Sequence, residues 1–324
     1  MINIVAYNVG SSGGLNLLTN LIRTAERCGI VVRAVYKRHS RFKLIDRLFQ
    51  FYYFIKFNVV NSRYGRFYFG NIPPVFSYKR TYVYFHNVLI LSPWSSLICE
   101  NQWLLLIQKL IIHVNSLYFK DKTIYLVQTE LVRSRLKNYT SAKIEVYPFW
   151  PKEEWLDAGT LAPFDILCPT GPFSHKNNAL VIQALSLLKR QNYRLPKVVM
   201  TVGRDEMDKP SMNLIRKFNL PIVLTGRLPL QLLHEYMAAT RAVMITSEKE
   251  SFGLPIIEAF EYKKCLIAPR LPYVEELVAD FLEFESGNPE SLAEAMKSVS
   301  ENRECDLSLL VENRVLELIE LINV

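Results

Sequence analysis

The strongest constraint on this 324-residue chain is an alternation of strand-like and helix-like segments that runs through the first half and restarts in the second. Residues 2–7 read as a strand, followed by a Gly-rich loop, a helix to about residue 27 and a strand at 31–36. A β-rich run covers 81–85, a long apolar helix 103–119, a strand 123–128 with a helix to about 137, and a strand 144–147. After Pro148-Phe149-Trp150-Pro151 the pattern begins again, with strands at 166–169, 197–202, 222–225, 243–246 and 265–268. Helices at 178–190, 210–218, 231–239 and 255–262 separate them. Such alternation predicts an α/β fold with parallel sheets and helices on both faces. Ligands of such sheets sit at the carboxyl ends of the strands. The Pro-flanked aromatic segment reads as the interdomain link, giving domains at 1–150 and 151–306 and a closing amphipathic helix at about 307–324.

A chain of this length suits two domains of about 150 residues, each able to bury a core. Five scattered cysteines with no CxxC pair predict reduced thiols, neither a disulfide framework nor a zinc site. No run of 18 apolar residues occurs, and the first residues show no cationic-then-apolar signal pattern, so the expectation is a cytoplasmic protein. Charge is divided unevenly. Residues 1–150 hold 20 Lys/Arg against 6 Asp/Glu, a net of +14, while residues 151–324 hold 19 against 25, a net of −6. That asymmetry predicts an anionic partner for the first half, either nucleic acid or an anionic membrane surface. Aromatic content favours lipid. In 41–57, Lys43, Asp46, Arg47 and Gln50 share one helical face against Phe, Leu, Ile and Tyr, the pattern of an interfacial helix or of a buried helix with one solvated stripe. The stretch 103–119, with few and scattered polar residues, is expected in the core.

The chemistry concentrates in Glu250-Ser251-Phe252-Gly253-Leu254-Pro255-Ile256-Ile257-Glu258. It follows a strand and opens a helix, with Pro255 at the helix start and Gly253 allowing close backbone approach. This places one carboxylate in the loop and one in the first turn. Free amides at a helix start favour phosphate, whereas carboxylates accept hydrogen bonds from hydroxyls. Phosphate plus polyhydroxyl describes a sugar nucleotide. A hydrolase acid–base pair would need carboxyl groups flanking one bond, which a loop and a helix start on the same side of a cleft do not provide.

Other candidates fall at strand ends. The loop Gly10-Ser11-Ser12-Gly13-Gly14-Leu15-Asn16 is either a phosphate-approaching turn or a plain βα turn; it lacks the G-x-G-x-x-G order of a dinucleotide site. His86 ends the 81–85 run, as a packed residue or a hydrogen-bond partner for a hydroxyl. Lys176 follows the strand at 166–169 and either neutralises a diphosphate leaving group or is solvated. Arg227, in Thr225-Gly226-Arg227, is a second cation for that charge, with Arg204 a weaker one. No D-x-D pair occurs, so no metal ligands and no cofactor are expected.

ESFGLPIIE resembles the E-x7-E motif of retaining GT-B glycosyltransferases of family 4, of the bacterial O-antigen and capsular polysaccharide type. The flanking 225–247 and 258–277, and SHKNNALVIQALSLL at 174–188, are similar in the same way, so the resemblance covers most of the second half. It implies GT-B architecture, two facing Rossmann-like domains with a cleft between them, the last helix crossing back to the first. It implies that Glu258 binds the ribose hydroxyls and Glu250 the transferred sugar. Ser251, Phe252, Gly253, Leu254 and Arg227 would line the donor, Gly13 and Gly14 would lie against its phosphate, and His86 and Lys176 would join Glu250 at the reacting centre. The chain departs from the family in carrying Pro172 after Gly171, where an arginine is common. The implied activity is metal-independent transfer, with retention, of a hexose-type sugar from a nucleoside diphosphate to a glycan acceptor. That acceptor would be linked to polyprenyl diphosphate at the inner face of the plasma membrane. A sugar-nucleotide epimerase of the same fold and a nucleic-acid-modifying protein are the rival expectations.

Overall fold

A computed structural model describes residues 1–6, 9, 13–36, 67–74, 80–99, 101–151, 163–301 and 305–323. The segment 41–57, read above as interfacial or buried, lies outside the described residues, as do residues 10–12 of the loop read at 10–16. The chain divides into two compact units, one of Met1–Lys152 with Glu312–Val324 and one of Glu153–Val311.

The N-terminal unit runs β1 (Ile2–Ala6), α1 (Gly13–Arg27), β2 (Val32–Tyr36), β3 (Phe67–Phe69) and β4 (Thr81–Phe85). It continues through α2 (Trp94–Cys99), α3 (Trp103–Phe119), β5 (Thr123–Val127), α4 (Glu130–Leu136) and β6 (Lys143–Val146). The strands form one parallel sheet in the order β2-β1-β3-β4-β5-β6. Every residue of β4 and β5 is buried, which explains their unbroken apolar and aromatic runs: a strand covered on both faces cannot alternate. Helix α1 buries Leu17, Leu18, Leu21 and Ala25, the i, i+1, i+4, i+8 stripe of an amphipathic helix.

The second unit runs β7 (Phe164–Cys168), α5 (Asn178–Arg190), β8 (Val198–Met200), α6 (Lys209–Phe218), β9 (Ile222–Leu224), α7 (Leu230–Ala239) and β10 (Thr240–Met244). Then follow α8 (Leu254–Glu261), β11 (Cys265–Pro269), α9 (Pro272–Glu275), β12 (Val278–Ala279), β13 (Leu282–Phe284), α10 (Pro289–Ser300) and β14 (Ser308–Leu309). Its parallel sheet has the order β13-β11-β10-β7-β8-β9. Helix starts carry the expected caps: Asp208 accepts from Ser211 N at 2.8 Å and Asn288 from Ser291 N at 3.1 Å.

Three expectations change. The closing helix does not begin near 307. Ser308–Leu309 instead pairs antiparallel with β12, and α11 (Val315–Ile322) follows it. Helix α11 belongs to the N-terminal unit, packing on α1 and burying Leu318, Ile319 and Ile322. Its approach is held by Arg314, whose N–H donates to Pro148 O and whose guanidinium donates to Val146 O, both at 2.8 Å.

The thiols are not all reduced. Cys265 and Cys305, 40 residues apart, are disulfide-bonded with Cα atoms 5.1 Å apart, a proximity that spacing alone does not reveal. Cys28 and Cys99 are exposed thiols, and burial pushes the Cys168 thiol up to about 12.

Helix α3 is the largest correction, because the apolar stretch expected in the core turns its apolar side outward. Trp103, Leu104, Ile107, Leu110, Leu117 and Tyr118 are exposed, from 53% for Leu110 to 74% for Tyr118. The buried side carries Gln108, Lys109, Asn115 and Ser116 beside Leu106 and Ile112. Each of three polar groups is held by a specific partner. Lys109 Nζ donates to Ser92 O and lies over the Trp94 and Tyr139 rings, Asn115 donates to Pro74 O at 3.2 Å, and Ser116 Oγ accepts from Ser141 N at 3.0 Å. These bonds lower the cost of burying the three side chains, although Asn115 Oδ1 is buried without a hydrogen-bond partner. Burial also lowers the Lys109 pKa.

Candidate functional site at the carboxyl edge of the second sheet

In the second unit, the loops after β7, β8, β9 and β10 leave the same edge of the sheet, because all four strands are parallel neighbours. The loop after β7 forms a single 3-10 turn, Ser174–Lys176, and Asn177 then takes the left-handed conformation (φ 50°) to start α5. The turn is stitched to the loop after β10. Thr246 Oγ1 donates to Lys176 O at 2.7 Å, Glu248 N donates to His175 O at 2.8 Å, and Asn177 Nδ2 donates to Glu248 Oε1 at 3.2 Å. Within this frame Lys176 Nζ meets Glu250 Oε1 at 2.5 Å, although the two lie 74 residues apart. Both side chains are about one-fifth exposed, at 20% and 18%. The pair is therefore open to a ligand on one side and shielded by protein on the other.

The remaining loops are tied in similarly. Thr170 N donates to Thr201 Oγ1, and that hydroxyl donates back to Thr170 O. Asn178 accepts from the Thr170 hydroxyl at 2.6 Å and donates to Gly171 O at 2.9 Å. Gly226 takes φ +69°, and a Cβ added there would stand 4.0 Å from Gly203 Cα, so the loops after β8 and β9 run close together. Arg227 follows this turn on the exposed side. Next to the lysine, His175 has its imidazole pKa lowered, first by burial and then by the Lys176 charge.

The motif itself folds as a loop that enters α8 through a left-handed glycine. Gly253 has φ +73°, and a Cβ there would approach Ile256 Cδ1 to 2.9 Å, so only glycine fits without movement. Phe252 is buried and anchors the loop in the core, while Ser251 and Leu254 are half-buried. Pro255 supplies no amide and Ile256 N already donates to Gly253 O at 2.8 Å. Gly253 and Leu254 are thus the amides that precede the first helical acceptor. Glu258 is not in the first turn as the spacing suggested. It is the fifth residue of α8, half-buried, one turn further from the helix end.

In the N-terminal unit, Gly14 and His86 come together. A Cβ on Gly14 would stand 3.0 Å from His86 Nε2, so the absent side chain lets the helix start meet the end of β4. His86 stacks on Phe69 with centroids 5.2 Å apart, and its backbone N–H donates to Asn71 Oδ1 at 2.6 Å. Burial lowers its pKa to about 4, opposed by a hydrogen bond to the Tyr84 backbone. That shift favours the neutral imidazole, which can offer a hydrogen bond but no charge. Gly13 opens α1 one residue earlier.

Sequence reasoning passed over Thr246, Thr170 and Asn178, which position the lysine loop. The signal was a small hydrogen-bonding residue two positions after a strand for Thr170 and Thr246, and one opening a helix for Asn178, each easily read as an ordinary turn or cap.

Residues 165–310 match the family described as glycosyl transferases group 1. The second unit therefore carries a glycosyltransferase domain. No curated protein matches it. Among solved structures it is similar to a sucrose-phosphate synthase from Thermosynechococcus elongatus, at 14% identity and TM-score 0.66, covering 100% of this chain and 96% of that one. It is similar to Anabaena HepE in complex with UDP and glucose, at 14% identity and TM-score 0.64, covering 100% and 97%. WaaG, a glycosyltransferase involved in lipopolysaccharide biosynthesis, aligns at 11% identity and TM-score 0.66, covering 100% and 94%. These likenesses establish the GT-B fold, which the two six-stranded parallel sheets express.

Proposed function

We propose that the second unit binds a nucleoside diphosphate sugar and that the chain transfers the sugar, with retention and without a metal, to a lipid-linked glycan of a surface polysaccharide. The Lys176–Glu250 pair at the carboxyl edge of the matched domain carries this reading. A lysine already held by a carboxylate exchanges that partner for a diphosphate at little cost in desolvation. Lys176 and Arg227 would neutralise the diphosphate as the bond from C1 to its oxygen breaks. Glu250, released from the ion pair, would accept a hydrogen bond from a hydroxyl of the transferred sugar. Glu258 would take the ribose hydroxyls, with Ser251, Phe252, Gly253 and Leu254 supplying loop backbone beside the donor. In the N-terminal unit the neutral His86 beside Gly13 and Gly14 is the proposed partner for a sugar hydroxyl. The acceptor oxygen attacks C1 on the face the diphosphate leaves, and its proton passes to the departing phosphate oxygen. Two lysine and arginine cations in place of a D-x-D pair support metal independence.

The UDP and glucose held by Anabaena HepE make UDP the first nucleotide to test. The involvement of WaaG in lipopolysaccharide biosynthesis supports a surface-glycan pathway, and a lipid-linked acceptor would put the workplace at the inner face of the plasma membrane. A thermal-shift screen against UDP, GDP, dTDP and their sugars should give one stabilising base. Glu258→Ala should remove that shift. Absence of a shift with every nucleotide would overturn the reading, and so would loss of turnover on adding EDTA for the metal-free part. A donor converted to an isomer with no acceptor present would make the protein an epimerase.

A further inference from the structure

The outward face of α3 is unusual for a water-soluble surface. Trp103, Leu104, Ile107, Leu110, Val114, Leu117 and Tyr118 all fall within an arc of about 140° at 100° per residue, and all are exposed. Trp94 and Ile98 of α2 add two further exposed apolar side chains on the helix that packs against it. Scattered exposed apolar residues are ordinary, whereas a contiguous face of this kind marks an interaction surface. The orientation is enforced from beneath: Lys109, Asn115 and Ser116 are each fastened to the fold, so rotating the helix to hide its leucines would strip three buried polar groups of their partners.

We propose that the α2–α3 face docks onto an anionic lipid bilayer, lying in the interface with its apolar side toward the acyl chains. Charge selects this occupant. Residues 1–150, the sequence half that includes both helices, carry a net charge of +14, which makes an anionic leaflet the complementary partner for this half of the chain. Lys120 and Lys122, both exposed and separated by the exposed Asp121, follow at the C-terminal end of α3 and leave a local excess of positive charge. Trp103 at one end of the helix and Tyr118 near the other are the side chains that settle at the boundary between lipid and water. Among the described residues no helix is long and apolar enough to cross a membrane, so contact here is with one leaflet.

The test is flotation of the full chain with vesicles of phosphatidylcholine alone or with 30% phosphatidylglycerol, read without donor or acceptor. Nucleotide binding and docking therefore fail or succeed separately. Wild-type protein is expected to float with the anionic vesicles, less with neutral ones, and to shift its tryptophan emission to the blue; Trp103→Phe should diminish that shift. The triple variant Leu104→Gln, Leu110→Gln, Leu117→Gln should keep its circular dichroism and bind roughly tenfold or more weakly, since three apolar side chains no longer enter lipid. Equal flotation of wild type and triple variant would overturn the proposal. A wild-type dimer that the triple variant converts to monomer, with no vesicle binding by either, would overturn it in favour of a self-interface.

Discussion

At the residue scale, the proposed site works by pairing groups whose charges are useful only when a ligand separates them. Lys176 and Glu250 are each other's partner in the ligand-free chain, at 2.5 Å and partly shielded. A partly exposed pair contributes little to stability, about 0–1 kcal/mol, so mutating it should reveal function more than folding. Glu250→Ala is expected to leave the melting temperature and the nucleotide shift nearly intact while lowering turnover on the order of a hundredfold or more. Retained turnover would remove Glu250 from the reacting centre. His86 allows a separate test. Its folded pKa of about 4 lies below the ordinary value of 6.5, so the unfolded chain binds the proton first as pH falls. The stabilisation from neutral His86 is present above pH 6.5 and is lost as pH falls from 6.5 toward 4. Replacing His86 with Phe should flatten the stability profile in that window, and an unchanged slope there would show that His86 is not the group responsible.

At the scale of elements, α3 and α8 show how local sequence and fold negotiate. Helix α8 needs Gly253 at φ +73° to turn the chain from loop into helix. Gly253→Ala should cost roughly 1–2 kcal/mol from the left-handed backbone, with more from the displaced Ile256. In α3 the cost of truncating an apolar side chain should depend on which side of the helix it lies. Ile112, fully buried, should lose about 2–5 kcal/mol on conversion to Ala. Leu110, two residues earlier and 53% exposed, should change stability by no more than about 0.5 kcal/mol. Chemical denaturation of the two variants decides it, and equal losses would mean that α3 is buried on both sides. Sequence pattern alone misplaced this helix because its polar residues are few. Gln108, Lys109, Asn115 and Ser116 read as scattered interruptions of a core segment, yet all four lie on the inward side, the last three bonded to Ser92, Pro74 and Ser141.

At the scale of the whole molecule, the last residues return to the first unit. Leu318, Ile319 and Ile322 of α11 are buried, and the Met1 ammonium donates to Asn323 Oδ1 at 3.1 Å. Removing residues 312–324 should therefore weaken the N-terminal unit, on the order of 5 kcal/mol from three lost apolar side chains, and leave the second unit folded. Calorimetry of the truncated chain is expected to show one transition moved down and one in place. A transition pattern identical to the full chain would refute that account. The alternation of strands and helices, the motif at 250–258 and its placement from the loop after β10 into α8 were all legible in the amino-acid order, because periodicity and strand-end loops are local properties. The pairing of Lys176 with Glu250, the contact of Gly14 with His86, the Cys265–Cys305 bond and the outward turn of α3 were not. Each depends on which strands are neighbours and which polar groups find partners across tens of residues, and only the folded sheets decide that.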